Sequence, residues 1–215
     1  MDCFGATATG MTRSVSTALF LCCATLACSD AAEPEGSVEA RMALEECCAV
    51  ERLPSGEQAV LLERGLVGAE LAVAADPADP VAHLAVFCYL GKRVRRDGLS
   101  LRALGAVRRL LREIDTALTL APDFPAALAA KGALLASLPR LLGGDPTEGE
   151  RLARQAVRLA PEDAEARLTL IDVLERRGRH DDAEAERKTL VRRVEGGERG
   201  GARSDAGEVV AQLPP

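Results

Sequence analysis

The sequence is poor in the residues from which most catalytic and metal sites are built. Only 2% of its 215 residues are aromatic, none is Trp, and the two His residues, His83 and His180, lie far apart in the chain. Such a supply does not favour a His-based metal site or a catalytic triad. No two Cys have the CxxC spacing of zinc or thioredoxin-like sites. No recognisable catalytic motif is present, so we expect a protein that is not an enzyme and needs no cofactor.

An excess of basic residues is also missing. The formal net charge is −6, whereas a nucleic-acid-binding protein usually carries a basic surface. What the sequence does have is apolar mass, 47% of residues, supplied mainly by Ala, Leu and Val. Because Ala and Leu are among the strongest helix formers, the composition predicts an all-α fold.

The first 27 residues are typical of a targeting segment. Arg13 precedes the apolar run VSTALFLCCATLA at positions 15–27. This run is too short to span a membrane, which takes about 20 residues in a helix, but it fits the apolar region of a signal peptide. Translation starts at either Met1 or Met11, and the MTR that begins at Met11 is the more usual basic opening.

The targeting segment ends in TLACSD, which resembles the lipobox of bacterial lipoproteins. Ala27 and Cys28 match that pattern, whereas Thr25 stands where Leu is usual. The resemblance implies cleavage before Cys28 and a lipid anchor on it, on the periplasmic side of a bacterial membrane. Ordinary signal cleavage nearby is the alternative. Residues 28–36 then form the anchor and an acidic flexible linker, and residues 196–215 are predicted to be a disordered tail.

Cleavage before Cys28 leaves that residue together with Cys47, Cys48 and Cys88. Cys47 and Cys48 point about 100° apart on a predicted helix, so they cannot both face one partner. A disulfide from one of them to Cys88 is compatible with an oxidising compartment. The favoured interpretation is that these Cys are small apolar residues on helix faces.

Apolar residues recur with helical periodicity over positions 37–195, and Pro residues interrupt the pattern at intervals. Three segments end alike, in LAVAADPADP, ALTLAPDFP and AVRLAPEDA. In each segment the Pro ends one helix, and Asp79, Asp123 or Asp163 marks the start of the next. An earlier helix pair is predicted at about 38–53 and 56–76 from the same periodicity.

The repeated unit resembles the tetratricopeptide repeat, a helix-turn-helix of about 34 residues. From Ala164 onward the family's characteristic apolar and small positions are matched without gaps, at Leu170, Leu174, Gly178, Ala183 and Leu190. Earlier segments match only with insertions. The resemblance implies an all-α solenoid of three to four helical hairpins at positions 37–195, which acts by binding.

The insertions are similar to those of one branch of that family. This branch includes the lipoproteins associated with TRAP-type solute transporters (the TatT group) and the eukaryotic regulators of microtubule dynamics. The resemblance implies an accessory or scaffold lipoprotein of the cell envelope, with a transporter or solute-binding protein as partner. Two alternatives stay open: a periplasmic component that binds a small ligand, and a structural envelope lipoprotein.

The segment LPRLLGGDPTEGE at 138–150 contains the most specific element of that resemblance, and it also invites a comparison with phosphate-binding loops. A phosphate loop would need a preceding strand and a Lys, whereas here a helical run precedes the glycines. The segment instead predicts a helix end at Gly143 or Gly144 and a new helix with Asp145 as N-cap and Pro146 in first position. Glu148 is expected to complete a capping box.

The tetratricopeptide resemblance also implies a concave surface formed mainly by the first helix of each hairpin. The acidic row at its end is predicted to bind a Lys or Arg, and its Ala-rich middle is predicted to bind an extended peptide or an apolar ligand. The alternative is that the Ala row packs against another helix. The positions implied are Val81, Leu84, Cys88, Ala126, Ala129, Ala133, Ala136, Glu165, Leu168, Asp172 and Glu175.

A basic segment interrupts the acidic chain at positions 92–112. Its candidate patch for an anionic partner, either membrane headgroups or an acidic protein face, is Arg102, Arg108, Arg109 and Arg112. The favoured alternative is a solvated helix face whose charge is balanced by acids elsewhere in the fold.

Overall fold

The computed structural model describes residues 34–98 and 103–199. The predicted targeting segment, Cys28, Arg102 and the chain after position 199 lie outside these ranges. Within them the chain forms helices and no strands, which confirms the all-α expectation. The helices are α1 (Val38–Ala49), α2 (Ser55–Ala75), α3 (Pro80–Asp97), α4 (Ala103–Leu120), α5 (Pro125–Ser137), α6 (Pro146–Leu159), α7 (Ala164–Arg176) and α8 (His180–Arg199).

These helices form four successive hairpins, so the expected helical-hairpin solenoid is confirmed at the upper end of its predicted size. The first hairpin, α1 and α2, coincides with the pair predicted from periodicity. Packing continues from each hairpin to the next: α3 lies against α1, α2 and α4, and α7 lies against α5, α6 and α8. Helix α4 also contacts α5 and thereby links the two halves of the solenoid.

All three predicted helix starts are confirmed, because α3, α5 and α7 begin within two residues of Asp79, Asp123 and Asp163. Asp79 caps α3, because its Oδ1 accepts from Val81 N at 2.8 Å and from Ala82 N at 3.1 Å. Asp163 caps α7 by accepting from Glu165 N at 2.9 Å. Asp123 lies two residues before α5, whose N-cap is Phe124 and makes no side-chain capping bond.

The LPRLLGGDPTEGE segment forms the turn between the end of α5 and the start of α6. Helix α5 ends before Pro139, a short 3-10 turn follows at Arg140–Leu142, and Gly143 adopts the left-handed conformation at φ 91°. Asp145 then caps α6, because its Oδ1 accepts hydrogen bonds from Thr147 N at 2.9 Å and from Glu148 N at 3.1 Å. The prediction that Glu148 completes a capping box is wrong. Asp145 N donates to Leu135 O at 3.0 Å, and the Glu148 carboxylate binds Arg151.

Close approach between helices depends on particular glycines. A Cβ on Gly65 of α2 would lie 2.2 Å from the ring of Tyr89, which is fully buried in α3. At the crossing of α5 and α6, a Cβ on Gly132 would lie 2.8 Å from Gly149 O, and one on Gly149 would lie 2.7 Å from Gly132 O. Any larger residue at these positions would push the helices apart.

A disulfide joins α1 to α3. It links Cys47 and Cys88, whose Cα atoms lie 6.4 Å apart, within the range such bonds usually span. The favoured interpretation of these two residues as merely apolar is therefore wrong. Cys48, which points elsewhere on α1, is buried.

Candidate binding surfaces

The predicted concave positions on α3 are buried between helices. Val81, Leu84 and Cys88 are at most 6% exposed, and Cys88 is bonded to Cys47 of α1. The sequence could not reveal this burial, because α3 is enclosed along residues 80–92 by α1, α2 and α4 together. These three positions do not form an open groove in the described structure.

The Ala row on α5 is also packed. Ala129 and Ala133 are buried, whereas Ala126 and Ala136 are half-buried. Ala136 faces α6, since a Cβ added to Gly149 of α6 would lie 3.3 Å from the Cβ of Ala136. The packing alternative therefore describes this row better than an open groove does. Ala136 packs against α6, Ala129 lies in a buried cluster with residues of α6 and α7, and Ala126 packs against the cluster that contains α3 and α4.

The acidic row on α7 is largely neutralised within the chain. Glu165, Leu168 and Asp172 are buried, and Glu175 is half-buried. Asp172 Oδ2 accepts from Arg176 Nε at 2.8 Å, and Glu175 forms an ion pair with Arg187 of α8. A Lys or Arg of a partner would have to compete with these internal cations for the same carboxylates.

The basic segment divides into a paired part and an exposed part. At the end of α3, Lys92 Nζ lies 3.0 Å from Glu51 and Arg93 lies 3.4 Å from Glu63, so acids of the first hairpin balance this stretch. On α4, Arg108 and Arg112 are exposed. The balanced-charge interpretation therefore applies to the first part, whereas Arg108 and Arg112 are accessible to an anionic partner.

Arg109, the third candidate of the patch in the described ranges, is fixed by two carboxylates. It lies 2.6 Å from Glu70 of α2 and 3.3 Å from Glu113 of α4. Burial lowers the pKa of Arg109, but the hydrogen bonds and charges of the two carboxylates outweigh it, so its pKa is raised overall. Glu113 also lies 2.8 Å from His83 Nδ1, and His83 Nε2 lies 3.1 Å from Pro77 O. The group ties α2, α3 and α4 together.

A second charge cluster, which the sequence did not reveal, joins the last two hairpins. Glu150 of α6 is buried and its carboxylate pairs with Arg154, Arg177 and Arg179, the last at 2.5 Å. Burial lowers the pKa of Arg154, and repulsion from Arg179 and Arg177 adds to that shift. The three guanidinium groups are only partly exposed, so the cluster holds α6 against the turn between α7 and α8.

Exposed apolar side chains concentrate on the first hairpin. Among the residues with described exposure, seven large hydrophobic side chains are exposed, and five of them lie there. We call these five the N-terminal face: Val38, Met42, Val60, Val67 and Leu71. The sequence could have predicted this face, because α2 carries apolar residues on its exposed side as well as on its buried side.

Leu141 is the most exposed of the seven, at 98%. It lies in the 3-10 turn that Pro139 introduces between α5 and α6, next to the exposed Arg140. The turn thus presents an apolar side chain to solvent within the LPRLLGGD element.

Metal-binding and membrane-spanning features were also sought in the described ranges. Residues 34–98 and 103–199 hold no group of three or more His, Cys, Asp or Glu side chains arranged to bind a metal ion. None of the helices in those ranges has the length and hydropathy needed to cross a membrane.

Comparison with known families matches residues 140–196 to the tetratricopeptide repeat. The matched residues run from the 3-10 turn before α6 into the last turns of α8. A search of curated proteins finds no match to the chain. The arrangement of hairpins and the matched segment together support the tetratricopeptide-repeat family, whose repeats generally form non-enzymatic scaffolds that bind other proteins.

Proposed function

We propose that this protein is a non-enzymatic scaffold of the bacterial cell envelope, held at the periplasmic side of a membrane by lipid on Cys28. Its partner is a protein, of the transporter or solute-binding class, and it serves as an accessory of a TRAP-type uptake system. The observation that carries the scaffold role is the family match at residues 140–196 on a solenoid of helical hairpins.

Support for export comes from two separate features. The lipobox-like TLACSD supplies a Cys for lipid attachment directly after an apolar run. The Cys47–Cys88 disulfide fits an oxidising compartment, because disulfides form and persist outside the reducing cytosol. Support for the transporter branch rests on the order of insertions and on the LPRLLGGD element.

The partner is expected at exposed residues, since the predicted concave positions are buried or half-buried. Leu141 presents an apolar side chain on a projecting turn, and Arg108 and Arg112 present positive charge on α4. A partner with an apolar pocket would take the first, and an acidic protein face would take the second.

The test is a pull-down from solubilised envelope with the chain purified from its native membrane. We expect a transporter or solute-binding protein to be retained by the wild type and lost with Leu141→Ser or with Arg108→Ser/Arg112→Ser. Lys188→Ser, an exposed change on α8, is the matched control. Retention of no envelope protein by the wild type would contradict the scaffold role.

Lipid attachment is tested separately by metabolic labelling with palmitate. We expect label on the wild type and none on Cys28→Ala. A Cys28→Ala chain that still carries label would place the anchor elsewhere.

A further inference from the structure

The two histidines of this chain lie in opposite surroundings. His83 of α3 is buried, with 8% of its surface exposed, whereas His180 at the start of α8 is exposed. Histidine is the side chain whose charge ordinarily changes between about pH 5 and pH 8. A buried histidine with a partner at each ring nitrogen can therefore link protonation to the packing of the helices around it.

Both ring nitrogens of His83 face oxygen atoms that accept hydrogen bonds. Nδ1 lies 2.8 Å from Oε2 of the Glu113 carboxylate on α4, and Nε2 lies 3.1 Å from the backbone oxygen of Pro77. A neutral imidazole has one N–H, so it can donate to only one of these oxygens while its other nitrogen directs a lone pair at the second. The imidazolium has two N–H groups and donates to both. The protonated ring is therefore the form that satisfies this geometry.

The charges around the ring favour the same form. Arg109 Nε lies 3.3 Å from the second oxygen of Glu113, and Arg109 also lies 2.6 Å from Glu70 of α2. Two carboxylates thus meet one guanidinium, and the imidazolium of His83 supplies the second positive charge. Loss of that proton leaves one carboxylate charge unbalanced beside a buried ring, which is unfavourable.

The other acids at this end of α3 are engaged with backbone N–H groups. In the turn before α3, Asp76 Oδ1 accepts from Ala78 N at 2.9 Å. The Asp79 carboxylate accepts from the first N–H groups of α3 and, at 2.8 Å, from Ser37 N at the start of α1. These two acids hold the ends of helices and turns, whereas Glu113 contacts the ring of His83 directly.

His83 joins three parts of the fold through one ring. Its backbone belongs to α3, its Nδ1 contacts α4, and its Nε2 contacts the turn between α2 and α3. Helix α4 in turn contacts α5 and links the two halves of the solenoid. The contact at His83 therefore bears on how firmly the first half is held to the second.

We propose that protonation of His83 controls how firmly α4 and the α2–α3 turn are held against α3. The imidazolium donates to Glu113 and to Pro77 O at the same time. When the proton is lost, the remaining N–H stays with the charged Glu113, because hydrogen bonds to ionised acceptors are the stronger ones. Nε2 then directs a lone pair at Pro77 O, and the turn loses its contact with the ring. This device depends neither on the proposed lipid anchor nor on the proposed partner.

The direction of the effect follows from which form makes more hydrogen bonds. The protonated ring has both partners in the folded chain, so its contribution to stability is present at low pH. That contribution is lost as the pH rises and His83 gives up its proton.

The test is urea unfolding of the full chain between about pH 5.5 and about pH 8, the range in which histidine titrates. Across this range, we expect the equilibrium constant for unfolding to rise at least about tenfold more in the wild type than in His83→Gln, since a charge-assisted hydrogen bond is lost. His180→Gln is the matched control, because it removes the exposed histidine. It is expected to keep the pH dependence of the wild type.

Nitrogen NMR of the histidine rings tests the same device in the wild type, so it holds even where His83→Gln folds poorly. At the acid end of the range we expect both ring nitrogens of His83 to carry hydrogen, and at the alkaline end only Nδ1. Glu113→Gln removes the charged acceptor while keeping a similar shape, and it should make the pH dependence of unfolding smaller.

Three results would overturn the proposal. The wild type and His83→Gln could show the same pH dependence of unfolding. His180→Gln could abolish that dependence, which would assign it to the exposed histidine. Finally, NMR could show a single protonated nitrogen on His83 throughout the range.

Discussion

Apolar packing and ion pairs hold both ends of this solenoid together, but a disulfide is added at one end and a buried carboxylate at the other. The first hairpin is tied to α3 by a disulfide, by apolar packing and by Asp79, which accepts hydrogen bonds from both the start of α1 and the start of α3. The last two hairpins are joined by apolar packing and by the ion pairs of the buried Glu150. The outer surfaces follow the same division, apolar at α2 and polar at α8.

This difference shows that one repeat architecture can be closed at its ends in two ways. A charged end meets water without cost, whereas the first hairpin leaves large apolar side chains exposed. Even the same capping residue behaves differently at the two ends. Asp79 has a lowered pKa, because hydrogen bonds from Ser37, Ala82 and Val81 outweigh its burial. Burial raises the pKa of Asp163 despite its bonds from the start of α7.

The largest expected effect comes from breaking the covalent tie of the N-terminal end. The disulfide closes a loop with a sequence separation of 41 residues. Cys47→Ser/Cys88→Ser should lower the free energy of unfolding by about 3–4 kcal/mol, since the unfolded chain gains the freedom that the bond removes. Urea denaturation measures the loss. Dithiothreitol should weaken the wild type similarly and leave the double variant unchanged; an equal response of both would contradict the bond.

Breaking the electrostatic tie of the C-terminal end should have the next largest effect. Glu150→Gln leaves Arg154, Arg177 and Arg179 without their shared carboxylate. Because these guanidinium groups keep some contact with water, we expect a loss of about 2 kcal/mol rather than the full cost of a buried unpaired charge. Glu148→Gln, which removes only the exposed pair with Arg151, should cost about 0.5 kcal/mol at most. Similar losses in both variants, measured by urea unfolding, would contradict a special role for Glu150.

Two glycine substitutions compare a packed with an open position. Gly132→Ala places a Cβ 2.8 Å from Gly149 O and should lower the free energy of unfolding by about 1–3 kcal/mol. Gly68→Ala meets open space and should raise it by about 0.5–1 kcal/mol through helix propensity. The measurement is thermal unfolding. A destabilised Gly68→Ala variant would mean that α2 is packed more tightly there than the structure shows.

The two capping carboxylates should give the smallest effects, with opposite dependence on pH. The folded-state pKa of Asp79 lies below its ordinary 3.8, so its contribution is present above that pH and is lost as the pH falls through the folded pKa. Asp79→Asn should therefore flatten the acid side of the stability curve. The pKa of Asp163 lies above 3.8, so the wild type loses stability as the pH rises from 3.8 to that value.

Asp163→Asn should remove this second loss while keeping a good helix N-cap. Urea unfolding of both variants and the wild type between acid and neutral pH measures the two slopes. Slopes of the same sign for Asp79 and Asp163 would contradict the different surroundings assigned to them.

Much of the fold could be predicted because its signals are local. Pro80, Pro125, Pro146 and the Asp residues before them set helix starts within a few residues, and apolar periodicity located the first hairpin. The failures were in contacts that one segment does not encode. Glu148 was expected to complete a capping box at the start of α6, but its carboxylate binds Arg151 instead.

The candidate surfaces were harder to predict for the same reason. Family positions located one side of α3, α5 and α7, but whether that side is open depends on the helices that pack over it. The sequence alone determined an all-helical chain, its hairpins and the turn at Gly143, because capping, φ preferences and periodicity act over a few residues. Only the tertiary structure decided that Cys47 bonds to Cys88, that Glu150 pairs with three arginines and that Val67 is exposed. These contacts depend on how helices that are distant in sequence pack against each other.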